Sequence, residues 1–267
     1  MFIAISLLLS FSGIPNYLVQ ARTDIETHYW QQLRKDASQE ELSQFTTRVT
    51  NFQADVLMDY HRSKISGEEA FQLYKGSFSY LAAGFRKAGW DDAAIQTYEE
   101  ALPLVQGTDE EVFFLMNLAD LYGASDRLRG VPAKQFKALE LFEQAKNLPQ
   151  FLNSSRETQL QQIQIFLQMA NLKAFMGETG AAIDSLQEFI DASFLHGVPL
   201  QDRDGFKQVL TYIHQKAPMK KRMDSLIAQL DDLEKASSSF PEPKNRSKKA
   251  VSALQSSNFE KFTTVQK

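Results

Sequence analysis

From Thr23 to Ala236, apolar residues recur at spacings of three and four, and no alternating run is long enough to form a sheet strand. A period near 3.6 places those residues on one stripe of a helix, so the pattern predicts an all-α fold. The longest stripe is Leu42, Phe45, Val49, Phe52 and Val56. Ser38-Gln39-Glu40-Glu41 precedes it, a sequence suited to a capping box in which Ser38 accepts from backbone amides and Glu41 reaches back. A shorter helix is expected over about Thr23 to Lys35, and Gly67 separates the long stripe from another helix running to Lys87. The 267 residues include no cysteine. A core of this size stands without crosslinks, and thiolate metal sites and cysteine nucleophiles are excluded.

Within the helical pattern, bulky and small residues alternate in a way that recurs. Phe78, Leu81, Ala82 and Phe85, then Gly89, Ala94, Tyr98 and Ala101, span two helices joined by a tight turn. A second copy reads Leu115, Asn117, Leu118, Ala119 and Tyr122, then Ala138, Phe142 and Ala145. A third reads Phe166, Met169 and Ala170, then Gly177, Ala182, Leu186 and Phe189. These residues resemble the tetratricopeptide repeat, in which small side chains let paired helices approach and aromatics fill the gaps between pairs. Ala94, Ala138 and Ala182 recur at intervals of 44 residues, longer than the family's unit of about 34. The surplus is expected as insertions, one in Gly123–Lys137 and one at Pro149–Ser155, where Asn153 and Ser154-Ser155 are suited to cap the following helix.

The resemblance implies a right-handed α-solenoid of antiparallel helix pairs, with flanking amino- and carboxy-terminal helices. The corresponding organisation is 22–66 for the amino-terminal helices, 67–196 for the repeat region and 197–236 for capping helices. In the last segment Phe206, Val209, Leu210 and Ile213 mark one amphipathic helix, and Pro218 is suited to start the next. That helix carries Met219, Met223, Leu226, Leu230 and Leu233. Its Lys220-Lys221-Arg222 start and Asp231, Asp232 and Glu234 end oppose the helix macrodipole, so local electrostatics did not choose that order. Covering the solenoid's end is the expected use of both helices, and a two-heptad seam would give a weak homodimer rather than a monomer.

The two ends differ in composition from the body. Residues 2–11 form an apolar run, followed by Gly13, Pro15 and then Val19-Gln20-Ala21, which reads as a signal peptide (1–21) cut near Ala21. The protein is then expected to be periplasmic or extracellular, with an uncleaved membrane anchor as the alternative. Membrane contact is expected only through residues 1–21. Residues 237–267 are rich in Ser and Lys, carry a net charge of +4 and read as a disordered tail.

No phosphate-cradling loop, nucleophile elbow or metal-ligand spacing occurs, and His28, His61, His196 and His214 are scattered. Asp91-Asp92 and Asp231-Asp232 are adjacent in sequence and point to different faces. Trp90, beside the turn glycine, is expected to pack between helix pairs. No catalytic residue, cofactor or metal is expected. With a net charge of −4, nucleic acid is not an expected partner. What the resemblance implies is a non-catalytic scaffold that takes a peptide or helix from a protein partner in a concave groove. The groove positions are Tyr80, Arg86 and Lys87 in the first copy, Phe113, Met116, Asn117 and Asp120 in the second, and Leu167, Gln168 and Asn171 in the third. The alternative is an envelope-anchored adaptor that self-associates through its terminal helices.

Overall fold

The computed structural model describes residues 14–34, 37–124, 132–153, 156–197, 203–216 and 220–236. The apolar run 2–11, residues 125–131 of the Gly123–Lys137 insertion, the Ser154-Ser155 cap, Pro218-Met219 and the tail lie outside the described residues. Among the described residues every regular element is helical. They divide into two compact units at Leu104 and Val105, inside the expected repeat region.

Unit 1 begins with α1 (Asn16–Thr27), which starts behind Pro15, where a missing amide proton costs nothing. The helix therefore starts earlier than the expected Thr23, and Ala21 lies within it. It ends in a single π-helical turn (His28–Gln32), closed by the Leu33 N–H donating to the His28 carbonyl at 2.9 Å. α2 (Gln39–His61) and α3 (Gly67–Lys87) each open with a complete capping box, Ser38 with Glu41 and Ser66 with Glu69. The whole Leu42–Val56 stripe is buried. α2 packs on both α1 and α3. A Cβ added at Gly84 of α3 would lie 2.3 Å from Phe45 Cε1, so α3 presses its backbone against that ring. α4 (Asp91–Val105) follows Gly89, whose φ of 78° suits glycine. It buries Ala94, Tyr98 and Ala101. Trp90, expected between helices, is 42% exposed at this turn.

Unit 2 contains α5 (Asp109–Ala124), α6 (Pro132–Lys146), α7 (Arg156–Gln162), α8 (Gln164–Phe175), α9 (Thr179–His196), α10 (Arg203–Lys216) and α11 (Lys220–Ala236). The most extensive packing is α5 on α6 and α8 on α9. Leu115, Leu118, Ala119, Ala138, Phe142 and Ala145 are buried in the first of these pairs, and Phe166, Met169, Ala170, Ala182, Leu186 and Phe189 in the second. The α7/α8 break at Ile163 is not legible from the apolar spacing. Two glutamines bracketing the end of α7 serve the preceding turn instead: Gln162 Oε1 accepts from the Leu152 N–H at 2.6 Å, and Gln159 Nε2 donates to the Leu152 carbonyl at 2.7 Å. They hold Leu152 at a φ of 53°, a left-handed conformation costing about 1–2 kcal/mol in a non-glycine residue.

α10 packs on α8 and α9, and α11 packs on α9. Met223, Leu226, Leu230 and Leu233 are buried. Arg222 pairs with Asp184, and Gln187 Nε2 donates to Gln229 Oε1 at 2.7 Å, both pairs joining α11 to α9. Of the three cations at the start of α11, Arg222 thus has a tertiary partner.

Candidate interaction site

The expected groove positions divide between the units and differ in what their side chains do. In unit 1, Tyr80 is only 3% exposed; its ring meets Tyr29 edge-on at 6.2 Å, and burial, with Glu26 beside it, pushes its phenol far up. Lys87 donates to the Tyr29 carbonyl at 2.8 Å and lies over the Tyr29 ring at 4.7 Å, and burial lowers its pKa. Both residues tie the π-helical turn to α3. They are consumed in packing because α1 lies against the face that the repeat pattern alone leaves open. Arg86 is half-buried.

In unit 2, Met116 and Leu167 are buried, at 9% and 7% exposure, so these expected anchors are internal. Phe113 and Asn117 are half-buried, and the Asn117 amide donates to the Phe113 carbonyl at 2.8 Å, one turn back on the same helix. The remaining three positions come together. Asp120 of α5 and Gln168 and Asn171 of α8 line one hollow of about 180 Å³.

Gly123 is among the residues that line the hollow. Gly123 lies where α5, α6 and α8 converge: a Cβ there would stand 3.2 Å from both the Ala138 Cβ and the Leu172 Cδ2. Those distances are tighter than ordinary van der Waals contact, so Ala138 and Leu172 already crowd the place of a Cβ, and the hollow lies beside it. Phe142, Leu172 and Phe175 supply its apolar walls, and Tyr212 of α10 closes one side. Phe175 is 46% exposed and Asn171 is exposed, so the hollow meets solvent along α8. Gln168 is half-buried with its Oε1 shielded from solvent and without a hydrogen-bond partner. Tyr212 also borders a shallow depression of about 440 Å³ along the polar face of α10, formed by Asp204, Lys207, Gln208, Thr211 and Gln215.

Sequence reasoning did not single out Phe175 or Tyr212 for this site. Phe175 was within reach, since Gln168, Asn171, Leu172 and Phe175 follow the i, i+3, i+4, i+7 rule for one helix face. Tyr212 was not, because its partners are on other helices. Among the described residues no three His, Cys, Asp or Glu side chains converge as metal ligands would, and no helix is long and apolar enough to cross a membrane.

No family model matches the sequence, and comparisons with curated proteins and with solved structures found no similar protein.

Proposed function

We propose that this protein is a non-catalytic interaction scaffold, built of tetratricopeptide-like helix pairs, that receives a peptide or helix from a protein partner on the α5–α8–α10 face of unit 2. The hollow at Gly123 carries the reading. It combines apolar walls with a few polar groups at the rim, as peptide-anchoring sites do. The packing order supports a stacked-pair arrangement: α5, α8 and α10 follow one another, and α11 follows α9. Bonds between residues 42 apart link successive outer helices, Lys146 with Glu188 and Gln187 with Gln229. On this reading α10 and α11 form a further pair rather than a separate cap. With the α11 stripe occupied by α9, the chain is a monomer, which weighs against the self-associating adaptor.

Export remains part of the proposal, with the apolar run 2–11 as leader. Leu18 is fully buried and the Tyr17 hydroxyl donates to the buried Asp59. Those contacts favour a cut before Ile14 over one after Ala21.

The function is tested by selecting peptides from a random-sequence display library on the full chain and mapping amide hydrogen exchange with a selected peptide bound. Protection concentrated on α5, α8 and α10, and a loss of affinity of about tenfold in Phe175→Ser with helicity retained, are expected. Protection elsewhere, or the absence of any selected peptide, overturns the reading.

A further inference from the structure

We infer that α1 and its π-helical turn form a strap over the Tyr80 and Lys87 face of α3, latched by the neutral ring of His28 and loosened when that ring takes up a proton. The inference concerns unit 1 alone and does not rest on the peptide-binding role proposed for unit 2. His28 is 6% exposed, and its ring lies 5.6 Å from that of Phe45 on α2. Its Nδ1 is shielded from solvent and has no hydrogen-bond partner. A neutral imidazole can leave Nδ1 as a bare acceptor, whereas the cation must donate from both nitrogens. Protonation in place therefore buries a charged donor that no acceptor meets, and opening removes that penalty.

The turn is built to leave without unravelling. Its closing bond, from the Leu33 N–H to the His28 carbonyl, is internal to it. Its ties to α3 are the Lys87 ammonium on the Tyr29 carbonyl and the edge-on contact of Tyr29 with Tyr80. The Tyr29 hydroxyl is also buried without a partner, so water competes for the turn at two polar atoms. Once it opens, Tyr80 and Lys87 are uncovered, two of the positions that the repeat pattern assigns to a partner groove.

The charged groups around the turn set how strongly acid acts. From α2, Arg48 opposes a proton on His28 and Glu41 favours it. Glu41 also accepts from the Ser38 N–H, and Arg34 acts on it from beyond the turn. From α3, Lys87 lies over the Tyr29 ring and Arg86 adds positive charge beside it. On α1, Asp24 accepts from Gln20 and Glu26 from Arg22. At the strap's other end Asp59 is held below its ordinary value of 3.8 and Tyr17 is pushed up to about 12, so that contact keeps its charge state in mildly acidic solution.

The test follows amide hydrogen exchange of the full chain at about pH 7.5 and about pH 5.5, corrected for the intrinsic pH dependence of exchange. A ring with its ordinary value of 6.5 when open, and a lower one when docked, raises the open fraction by at most about tenfold over that interval. A rise of roughly five- to tenfold is expected within residues 16–32, with little change in 49–56 and 71–78. His28→Phe should abolish it. Arg48→Gln, at an exposed position, lets the docked ring hold its proton more readily and should about halve the rise. Glu41→Gln, which a capping box tolerates, should enlarge it toward the limit. Such opposite movements cannot come from misfolding. No rise overturns the latch, as does one that survives His28→Phe, because the proton is then taken up elsewhere. A rise spread equally over α2 and α3 overturns the strap, since unit 1 then opens as a whole. If His28→Phe does not fold, the two α2 variants decide, and a rise that neither moves overturns the latch.

Discussion

Unit 1 and unit 2 both close on apolar helix stripes, yet they bury different polar groups. Unit 1 encloses groups that titrate: Asp59 at 0% exposure, His28 at 6% and the phenols of Tyr29 and Tyr80. The buried polar side chains of unit 2 include Gln150, Gln159, Gln162, Ser185 and Ser193, which keep one protonation state. Each unit also brings helices together at a glycine, to a different degree. At Gly84 the place of a Cβ is taken by the Phe45 ring, at 2.3 Å, whereas at Gly123 it is only crowded, at 3.2 Å, by Ala138 and Leu172. A glycine in a helix interior costs roughly 1 kcal/mol against alanine, so each position calls for a reason. In both units the reason is a close approach of helices, tighter at Gly84 than at Gly123.

The largest test of this contrast is Gly84→Ala. The added Cβ collides with a ring that is itself fully buried, with His28 centred 5.6 Å and Tyr29 6.3 Å away, so the ring has no room to swing aside. A loss of about 2 kcal/mol is expected, the overpacking penalty exceeding the gain in helix propensity. Both tryptophans, Trp30 and Trp90, belong to unit 1. Their fluorescence in a urea titration therefore reports that unit. In a Phe45→Leu background the same change should cost much less, because the two sites share the contact. Equal costs in both backgrounds would mean that Phe45 is not what Gly84 accommodates.

The titratable core gives the next effect. Burial pushes the Asp59 carboxyl up, but the Tyr17 hydroxyl and Lys64, 3.0 Å away, outweigh it and hold the carboxyl below its ordinary value. Tyr17 is pushed up to about 12, by burial first and by Asp59 second. Tyr17→Phe removes one of the partners of a buried charge and should cost about 1.5 kcal/mol, toward the low end of charge-assisted bonds because Tyr17 is 44% exposed. For Asp59 the folded pKa lies below the unfolded one, so its stabilisation is present above an unfolded value near 3.8 and lost as pH falls through the folded one. His28 is lowered by burial and by Arg48, with Glu41 opposing. Its neutral ring is tolerated and its cation is not, so unit 1 should also weaken as pH falls below an unfolded value near 6.5. His28→Phe should flatten the tryptophan-detected stability curve in that window. Half-buried His196 of unit 2, lowered by burial as well, should leave a residual slope in whole-chain circular dichroism.

What was legible in the sequence follows the same line. The all-α class, the Ser38 capping box and the buried stripes of α2, α10 and α11 depend on local spacing, and spacing is written in the chain. The fates of Tyr80, Met116 and Leu167 depend on which helix comes to lie against theirs. Periodicity cannot say that α1 covers Tyr80, since α1 begins in a stretch whose Pro15 and Ala21 also suit a leader. The α7/α8 break was hidden because Gln159 and Gln162 look like ordinary surface residues until the Leu152 turn that they hold is known. Asp120, Gln168 and Asn171 were found because they are the polar residues of two helix faces that otherwise pack. The hollow between them was not, because it depends on how α5, α6, α8 and α10 come together, which local spacing does not fix.

The smallest expected effect is therefore the most discriminating. Gly123→Ala places its Cβ at 3.2 Å from two methyl groups, a crowding that shifts of a few tenths of an ångström relieve. The strain and the gain of about 1 kcal/mol in helix propensity should nearly cancel, leaving stability within about 0.5 kcal/mol of the parent in thermal melts followed by circular dichroism. Peptide affinity should fall nonetheless, because the Leu172 side chain that must give way is a wall of the hollow. A cost as large as that of Gly84→Ala would instead mean that Ala138 and Leu172 cannot give way. The two glycines would then serve packing alike, and the contrast between the units would reduce to their buried polar groups.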